Sequence, residues 1–188
     1  TFAPLYVSLF LNTAPFMIYF GEEVGEKGMY EEGFSGKDGR TTIFDWWSVG
    51  SIRRLRKVIR SGAYKTMDIR ELTKEGLKKE EAEVFVRFAE AIRFASEDLA
   101  ITKGTTYDLC YCNLSSDGFD KNRHFAFLRD FEDHTVLVAA NFSNREVTMK
   151  LVIPEHAFEW MEIPITEEMH PGKIIEVKVG PMDGKKVV

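Results

Sequence analysis

The chain has 188 residues, of which 44% are hydrophobic, 29% charged and 13% aromatic. This composition excludes a disordered tail, a collagen-like repeat and a small disulfide scaffold, because apolar residues are plentiful enough for a packed core. The formal net charge is −5, so a nucleic acid is not expected as a partner.

The first 21 residues contain no charged side chain, so a membrane span has to be weighed against a buried segment. A spanning helix needs about 20 predominantly apolar residues, whereas Asn12, Thr13 and Pro15 interrupt this run. We therefore expect no membrane partner and predict a helix that ends near Asn12. Residues 16–20 are apolar on both alternating faces, which predicts a parallel strand covered on both sides.

A loop rich in glycine and acidic residues follows, from residue 21 to residue 39. Its adjacent Glu22 and Glu23 invite comparison with the paired carboxylates of glycosidases. Neighbouring residues of an extended chain point to opposite sides, so these two cannot face one sugar together. We expect them to accept hydrogen bonds from loop amides instead.

The stretch from Asp38 to Trp47 combines an acid, an arginine and two tryptophans soon after the predicted strand. Ligands bind beyond the carboxyl ends of parallel strands. Carboxylate and guanidinium groups can hydrogen-bond to vicinal hydroxyls, and an indole face can stack on a sugar ring. Asp38, Arg40 and Trp46 are therefore candidate substrate-binding residues. The alternative is that Trp46 and Trp47 anchor the next helix to the core.

Apolar stripes with helical spacing predict helices over residues 51–60 and 80–99. The first of them carries five basic side chains and no acidic one. Contact with phosphate or with an anionic membrane is one interpretation of this segment. A solvated helix face is the commoner arrangement in an acidic chain, and it is the one that we expect.

From about residue 102 the apolar pattern changes to a period of two, which is typical of strands. Several short strands without helices between them predict an antiparallel β-sandwich. The strands are expected at residues 105–113, 124–131, 135–142, 146–153, 158–163 and 174–179.

Cys110 and Cys112 are the only cysteines, and a strand would place both thiols on one face. That spacing suits neither a disulfide nor a redox pair, so we expect reduced, packed side chains. The four histidines lie apart without ligand spacing, and no metal is assigned. Asn113 and Asn141 begin glycosylation sequons, which matter only in a eukaryotic secretory setting.

The order of these features resembles a known enzyme family. Residues 14–25 (APFMIYFGEEVG) are similar to the last barrel strand of the α-amylase family of glycoside hydrolases, with Thr13 and Phe20 departing from its usual Gly and Tyr. Residues 39–47 (GRTTIFDWW) resemble the loop that follows this strand in many bacterial members. Residues 100–109 (AITKGTTYDL) resemble the passage from the final barrel helix into the C-terminal β domain.

The resemblance implies an α+β chain in which residues 1–102 are the end of a (β/α)8 barrel and residues 103–188 are a C-terminal β-sandwich. The family's nucleophile Asp, acid/base Glu and third Asp lie at the ends of the fourth, fifth and seventh strands. Those strands would all precede Thr1. No residue of this chain is therefore expected to be catalytic, and the chain alone is expected to be inactive.

The resemblance also implies a partner, an α-glucan or oligosaccharide bound by the full-length parent. Asp38 and Arg40 correspond to loop residues that bind sugar on the non-reducing side of the cleavage point. No cofactor is expected in this chain, because the Ca²⁺ of many members is held mostly by an inserted domain and so belongs to the full-length parent. A non-catalytic scaffold protein and a free-standing sugar-binding module are the alternatives.

Residues 16–20 would lack the strands that flank them in a complete barrel. Leaving an apolar strand exposed to water is unfavourable. We therefore expect residues 1–25 either to pair with another copy, forming a homo-oligomer, or to stay partly disordered.

Overall fold

The computed structural model describes residues 2–12, 14–26 and 49–187. Over these residues the chain is a mixed α+β protein with several helices and antiparallel sheets. It divides into two compact units. The β unit comprises Thr1–Phe16 together with Arg93–Val188, and the helical unit is Met17–Ile92.

Six α-helices lie in the described part of the chain. They are α1 (Ala3–Leu11), α2 (Gly50–Ser61), α3 (Ile69–Lys74), α4 (Lys79–Glu97), α5 (Leu99–Thr102) and α6 (Glu155–Met161). The first, second and fourth confirm the predicted helices. Asn12 ends α1 in the left-handed conformation at φ 49°, and the carboxylates of Asp68 and Asp98 cap α3 and α5 by accepting backbone N–H groups.

The strands of the β unit form two antiparallel arrangements. They are β1 (Thr105–Asp108), β2 (His124–Phe131), β3 (His134–Asn141), β4 (Val147–Val152), β5 (Ile174–Val179) and β6 (Asp183–Val187). One sheet has the order β1-β2-β3-β6, and β4 pairs with β5. The predictions for β2, β3, β4 and β5 are confirmed to within one or two residues.

Both sheets and α6 contribute side chains to one apolar core. Its members include Leu128, Leu137, Met149, Leu151, Phe158 and Val177. Burial of this apolar surface is the main favourable term in folding, at about 25 cal/mol per Å². Cys110 and Cys112 pack against the same core as free thiols, as predicted.

Helix α1 packs on β3 and β6 of the larger sheet. A close approach makes this possible, because a Cβ atom at Gly184 would lie 2.5 Å from the Tyr6 ring. Only glycine leaves room for the tyrosine at this point of β6. The buried side chains of α1 are Ala3, Leu5, Leu9 and Phe10.

The prediction of a buried strand at residues 16–20 is wrong for the described structure. Residues 15–19 are irregular, neither sheet includes them, and the side chains from Phe16 to Phe20 are 38–79% exposed. A strand needs a neighbour to accept and donate its ladder hydrogen bonds. The described residues place no strand beside this segment.

Of two further strand predictions, the one at residues 105–113 is confirmed only in its first four residues, and the one at residues 158–163 is wrong. The strand expected at residues 105–113 ends at Asp108, whose carboxylate accepts the Cys110 N–H at 2.7 Å, and Tyr111–Asn113 is a 3-10 turn. The two cysteines therefore do not share a strand face. Residues 158–163 belong mostly to α6, where apolar side chains at positions 157, 158 and 161 have helical spacing.

The helical unit has its own apolar core. It is formed by Val24, Leu55, Val58, Leu72, Leu77, Ala82 and Val86. In the ranges that the structure describes, no helix combines the length and apolar character needed to cross a bilayer.

Candidate functional site

The predicted sugar-binding residues Asp38, Arg40 and Trp46 all lie outside the described residues. The described part of the helical unit contains a cavity of about 640 Å³. Glu26 and Gly50, which flank the stretch 27–48 in the sequence, both line this cavity. Its other polar lining residues are Ser51, Arg54, Lys78, Glu80 and Glu81.

Glu81 is the centre of the polar wall. Its Oε1 accepts a hydrogen bond from Ser51 Oγ at 2.9 Å and another from Arg54 Nη2. Its Oε2 accepts from Arg54 Nε at 2.8 Å and from the backbone N–H of Lys78 at 2.9 Å. Four donors therefore hold a carboxylate that is almost completely buried.

The first turns of α2 and α4 position Glu81 and its hydrogen-bond donors. Ser51 and Arg54 are three residues apart on the first turns of α2, so they share one face of the helix. Glu81 is the third residue of α4, and its carboxylate reaches back to the N–H of Lys78, the residue before the helix. This is one half of a capping box, which satisfies a donor that the helix itself cannot use.

The pKa shifts of Glu81 and Arg54 are those of a structural ion pair. The hydrogen bond from Arg54 holds the pKa of Glu81 at about 2, well below its ordinary 4.5, although burial acts in the opposite direction. The same hydrogen bond raises the pKa of Arg54. Glu81 is therefore ionised at neutral pH with its lone pairs occupied, and it cannot serve as a general acid.

Within the part of the chain that the structure describes, one donor group of Arg54 is not used. The guanidinium gives Nε and Nη2 to Glu81 and Ser51, whereas Nη1 donates to no acceptor among the described residues. Arg54 also corrects the expectation of a wholly solvated basic face. Its side chain is 29% exposed and paired, while Arg56, Lys57 and Arg60 are exposed as predicted.

The acidic residues before the cavity have structural partners. Glu22 Oε2 accepts the Tyr19 N–H at 2.9 Å, and Glu23 Oε2 accepts the Gly21 N–H at 3.0 Å. These contacts confirm the prediction that both carboxylates bind loop amides. Glu26 Oε2 accepts the N–H of Ile52 at 2.9 Å and so caps α2 from outside the helix.

Sequence reasoning missed the pairing of Arg54 with Glu81. The position of Glu81, three residues after the residue that precedes a strongly periodic helix, is a recognisable capping signal. The sequence does not indicate which cation pairs with Glu81, because the five basic residues of α2 are equivalent candidates. Which of these basic residues is buried depends on the tertiary structure.

The asparagines of both glycosylation sequons are fully buried. Asn113 Nδ2 donates to the carbonyls of Leu109 and Val152 at 2.9 and 3.0 Å, and its Oδ1 accepts the Val152 N–H at 2.8 Å. Asn141 Nδ2 donates to the carbonyl of Arg145 at 2.7 Å. These amides are structural in the folded chain.

No protein-family model and no curated protein matches the chain. The resemblance of residues 14–47 to the α-amylase family therefore stays a prediction. Across the described ranges, no group of three or more His, Cys, Asp or Glu residues is arranged to hold a metal ion.

Proposed function

We propose that this chain is the C-terminal part of an α-amylase-like glycoside hydrolase that acts on α-glucans. Residues 1–102 would close a (β/α)8 barrel, and residues 103–188 would form the C-terminal β-sandwich domain. The parent would cleave its substrate by a retaining mechanism, with the catalytic carboxylates in the part of the barrel that precedes this chain.

The observation that carries this proposal is the order of motifs and elements along the chain. The apolar segment and its Gly-Glu-Glu end, at residues 14–25, are followed by the GRTTIFDWW stretch and by two amphipathic helices. Antiparallel strands begin at Thr105, directly after α5. This order is the one expected where the last strand and helix of a barrel lead into an appended β domain.

The polar cavity is consistent with binding rather than catalysis. A retaining glycosidase needs two carboxyl groups about 5–5.5 Å apart, one of them able to donate a proton. Glu81 is ionised and saturated with donors, and Glu26 caps α2. Arg54 Nη1 remains to donate to a sugar hydroxyl, and in this proposal Asp38, Arg40 and Trp46 bind the same substrate.

The decisive test is made on the full-length parent. We expect the coding sequence before Thr1 to supply Asp, Glu and Asp at the ends of three barrel strands. The parent should release products from maltoheptaose with retained anomeric configuration, as followed by proton NMR. The 188-residue chain should release none. Cleavage by the chain alone, or a parent that lacks the three carboxylates, would overturn the proposal, and the second result would indicate a non-catalytic scaffold.

A further inference from the structure

Four aromatic side chains of the β unit form a cluster in which three exposed rings each contact a buried one; this cluster is here called the aromatic platform and consists of Tyr107, Tyr111, His156 and Trp160. Tyr107 lies in β1, and Tyr111 lies in the 3-10 turn that follows it. His156 and Trp160 are four residues apart in α6, so they lie on one face of that helix.

Tyr107 is the centre of the platform. Its ring centroid lies 6.1 Å from that of Tyr111, 6.0 Å from that of His156 and 5.9 Å from that of Trp160. Tyr107 itself is buried, but Tyr111 and Trp160 are 56% and 54% exposed. Single exposed aromatics are ordinary, whereas neighbouring ones joined through a buried ring form a patch that indicates a binding surface.

Polar groups hold the platform together. The Tyr107 hydroxyl is hydrogen-bonded to the Tyr111 hydroxyl, and it lies 3.2 Å from His156 Nδ1. Burial raises the pKa of Tyr107, so its hydroxyl keeps its proton under all physiological conditions. These hydrogen bonds orient the exposed rings of Tyr111 and His156 before any ligand arrives, which lowers the entropic cost of binding.

The charges near the platform select the class of ligand. The helix that carries Trp160 also carries Glu155 and Glu159, and neither this helix nor the Tyr111–Asn113 turn contains a Lys or Arg. Proteins that stack nucleic-acid bases on aromatic rings combine the rings with a positively charged groove. The acidic surroundings oppose a phosphate-bearing ligand and favour a neutral one with hydroxyl donors.

We propose that the aromatic platform binds the pyranose rings of a neutral glycan chain, with Trp160 and Tyr111 stacking on the sugar faces. The apolar C–H faces of a pyranose match the exposed rings, and its hydroxyl edge matches the phenol and carboxylate groups. The platform lies in the β unit and shares no residue with the cavity of the helical unit. The proposal therefore does not rest on the proposed function, and an inactive parent would leave it standing.

The test is a titration of the complete 188-residue chain with maltoheptaose, and separately with cellohexaose, followed by isothermal titration calorimetry, which measures binding equally in variants that lack Trp160. We expect Trp160→Ala to weaken binding by at least about tenfold and Tyr111→Ala to weaken it severalfold, in line with the cost of truncating a central aromatic anchor. Trp160→Phe keeps a stacking face and should bind within about threefold of the native chain.

Ile165→Ala is the matched control, because Ile165 is an exposed apolar residue that is not part of the platform. It should bind like the native chain. Binding of either glycan that is lost in Trp160→Ala and retained in Ile165→Ala supports the proposal, and the two sugars separate α-linked from β-linked ligands. Undiminished binding by a folded Trp160→Ala variant would overturn it. So would preference for RNA, or a self-association that Trp160→Ala abolishes in sedimentation velocity.

Discussion

Replacing Arg129 with methionine is expected to destabilise the β unit severely. The Arg129 side chain is buried and donates to four backbone carbonyls. Nε binds Ala100 O at 3.0 Å, Nη1 binds Leu11 O at 2.8 Å, and Nη2 binds the carbonyls of Ile101 and Gly104 at 2.7 and 2.8 Å. One guanidinium thus ties α1, α5 and the start of β1 to strand β2.

The expected loss of stability follows from the backbone carbonyls that Arg129 binds. Leu11 is the last residue of α1, and Ala100 and Ile101 belong to the single turn of α5. The carbonyls in the last turn of a helix have no partner inside the helix. Leaving one buried acceptor unsatisfied costs about 1–3 kcal/mol. Arg129→Met removes the charge together with its hydrogen bonds, so the loss comes from the unsatisfied carbonyls and is about 3–5 kcal/mol in total. That is a large share of the stability of a typical domain, about 5–15 kcal/mol.

The assay is urea unfolding of the chain in a background that carries Trp46→Phe and Trp47→Phe. Trp160 is then the only tryptophan, and its fluorescence reports on the β unit. We expect Arg129→Met to lower the free energy of unfolding by about 3–5 kcal/mol, because buried carbonyls lose their donor. Arg145→Met, at an exposed position, is the control and should change it by no more than about 0.5 kcal/mol. Equal effects of the two substitutions would refute the reasoning.

Three further predictions follow from the hydrogen bonds and pKa values above. The lowered pKa of Glu81 contributes about 3 kcal/mol to the stability of the helical unit above its ordinary pKa of 4.5, and this contribution is lost as the pH falls towards 2. Glu81→Gln should therefore flatten the dependence of stability on pH between pH 5 and 2 in circular-dichroism titrations. Burial raises the pKa of Cys110 to about 12 and also raises that of Cys112. At pH 8 both thiols should react with a disulfide reagent far more slowly in the native chain than in urea. Asn113→Ala removes the side-chain amide that binds the N–H and the carbonyl of Val152, leaving only the weak Cys112 thiol contact to that carbonyl. It should cost about 2–3 kcal/mol in the same urea assay, and a cost below about 0.5 kcal/mol would contradict the prediction.

Helices with a strong apolar period could be predicted from sequence because their signal is local. Helices α2 and α4 begin and end within about two residues of the predicted positions, since the spacing of apolar side chains along one segment determines which face is buried. The long strands β2 and β3 were found for the same reason. Both strands contain runs of apolar residues and are buried at nearly every position, so they could be recognised without knowledge of the strands beside them.

Elements that depend on a partner could not be predicted in this way. Strand β6 begins with Asp183 and Gly184, a pair typical of turns, and it is a strand because β3 supplies its ladder. Helix α6 has apolar residues that also fit a short strand, and Pro154 before it was not recognised as a helix start. The platform was missed because Tyr107 and Trp160 meet only after β1 and α6 have packed.

Burial restricts which of residues 1–25 could form the interface of the proposed homo-oligomer. The apolar side chains of α1 are used inside the β unit, so they are not available to a second chain. The exposed apolar side chains run from Phe16 to Phe20. Because these residues alternate between two apolar faces, a single packed surface would cover only half of them. Strand pairing would satisfy the backbone, while elements packed above and below the strand would cover its two faces, and a barrel neighbour or a second copy would have to provide both.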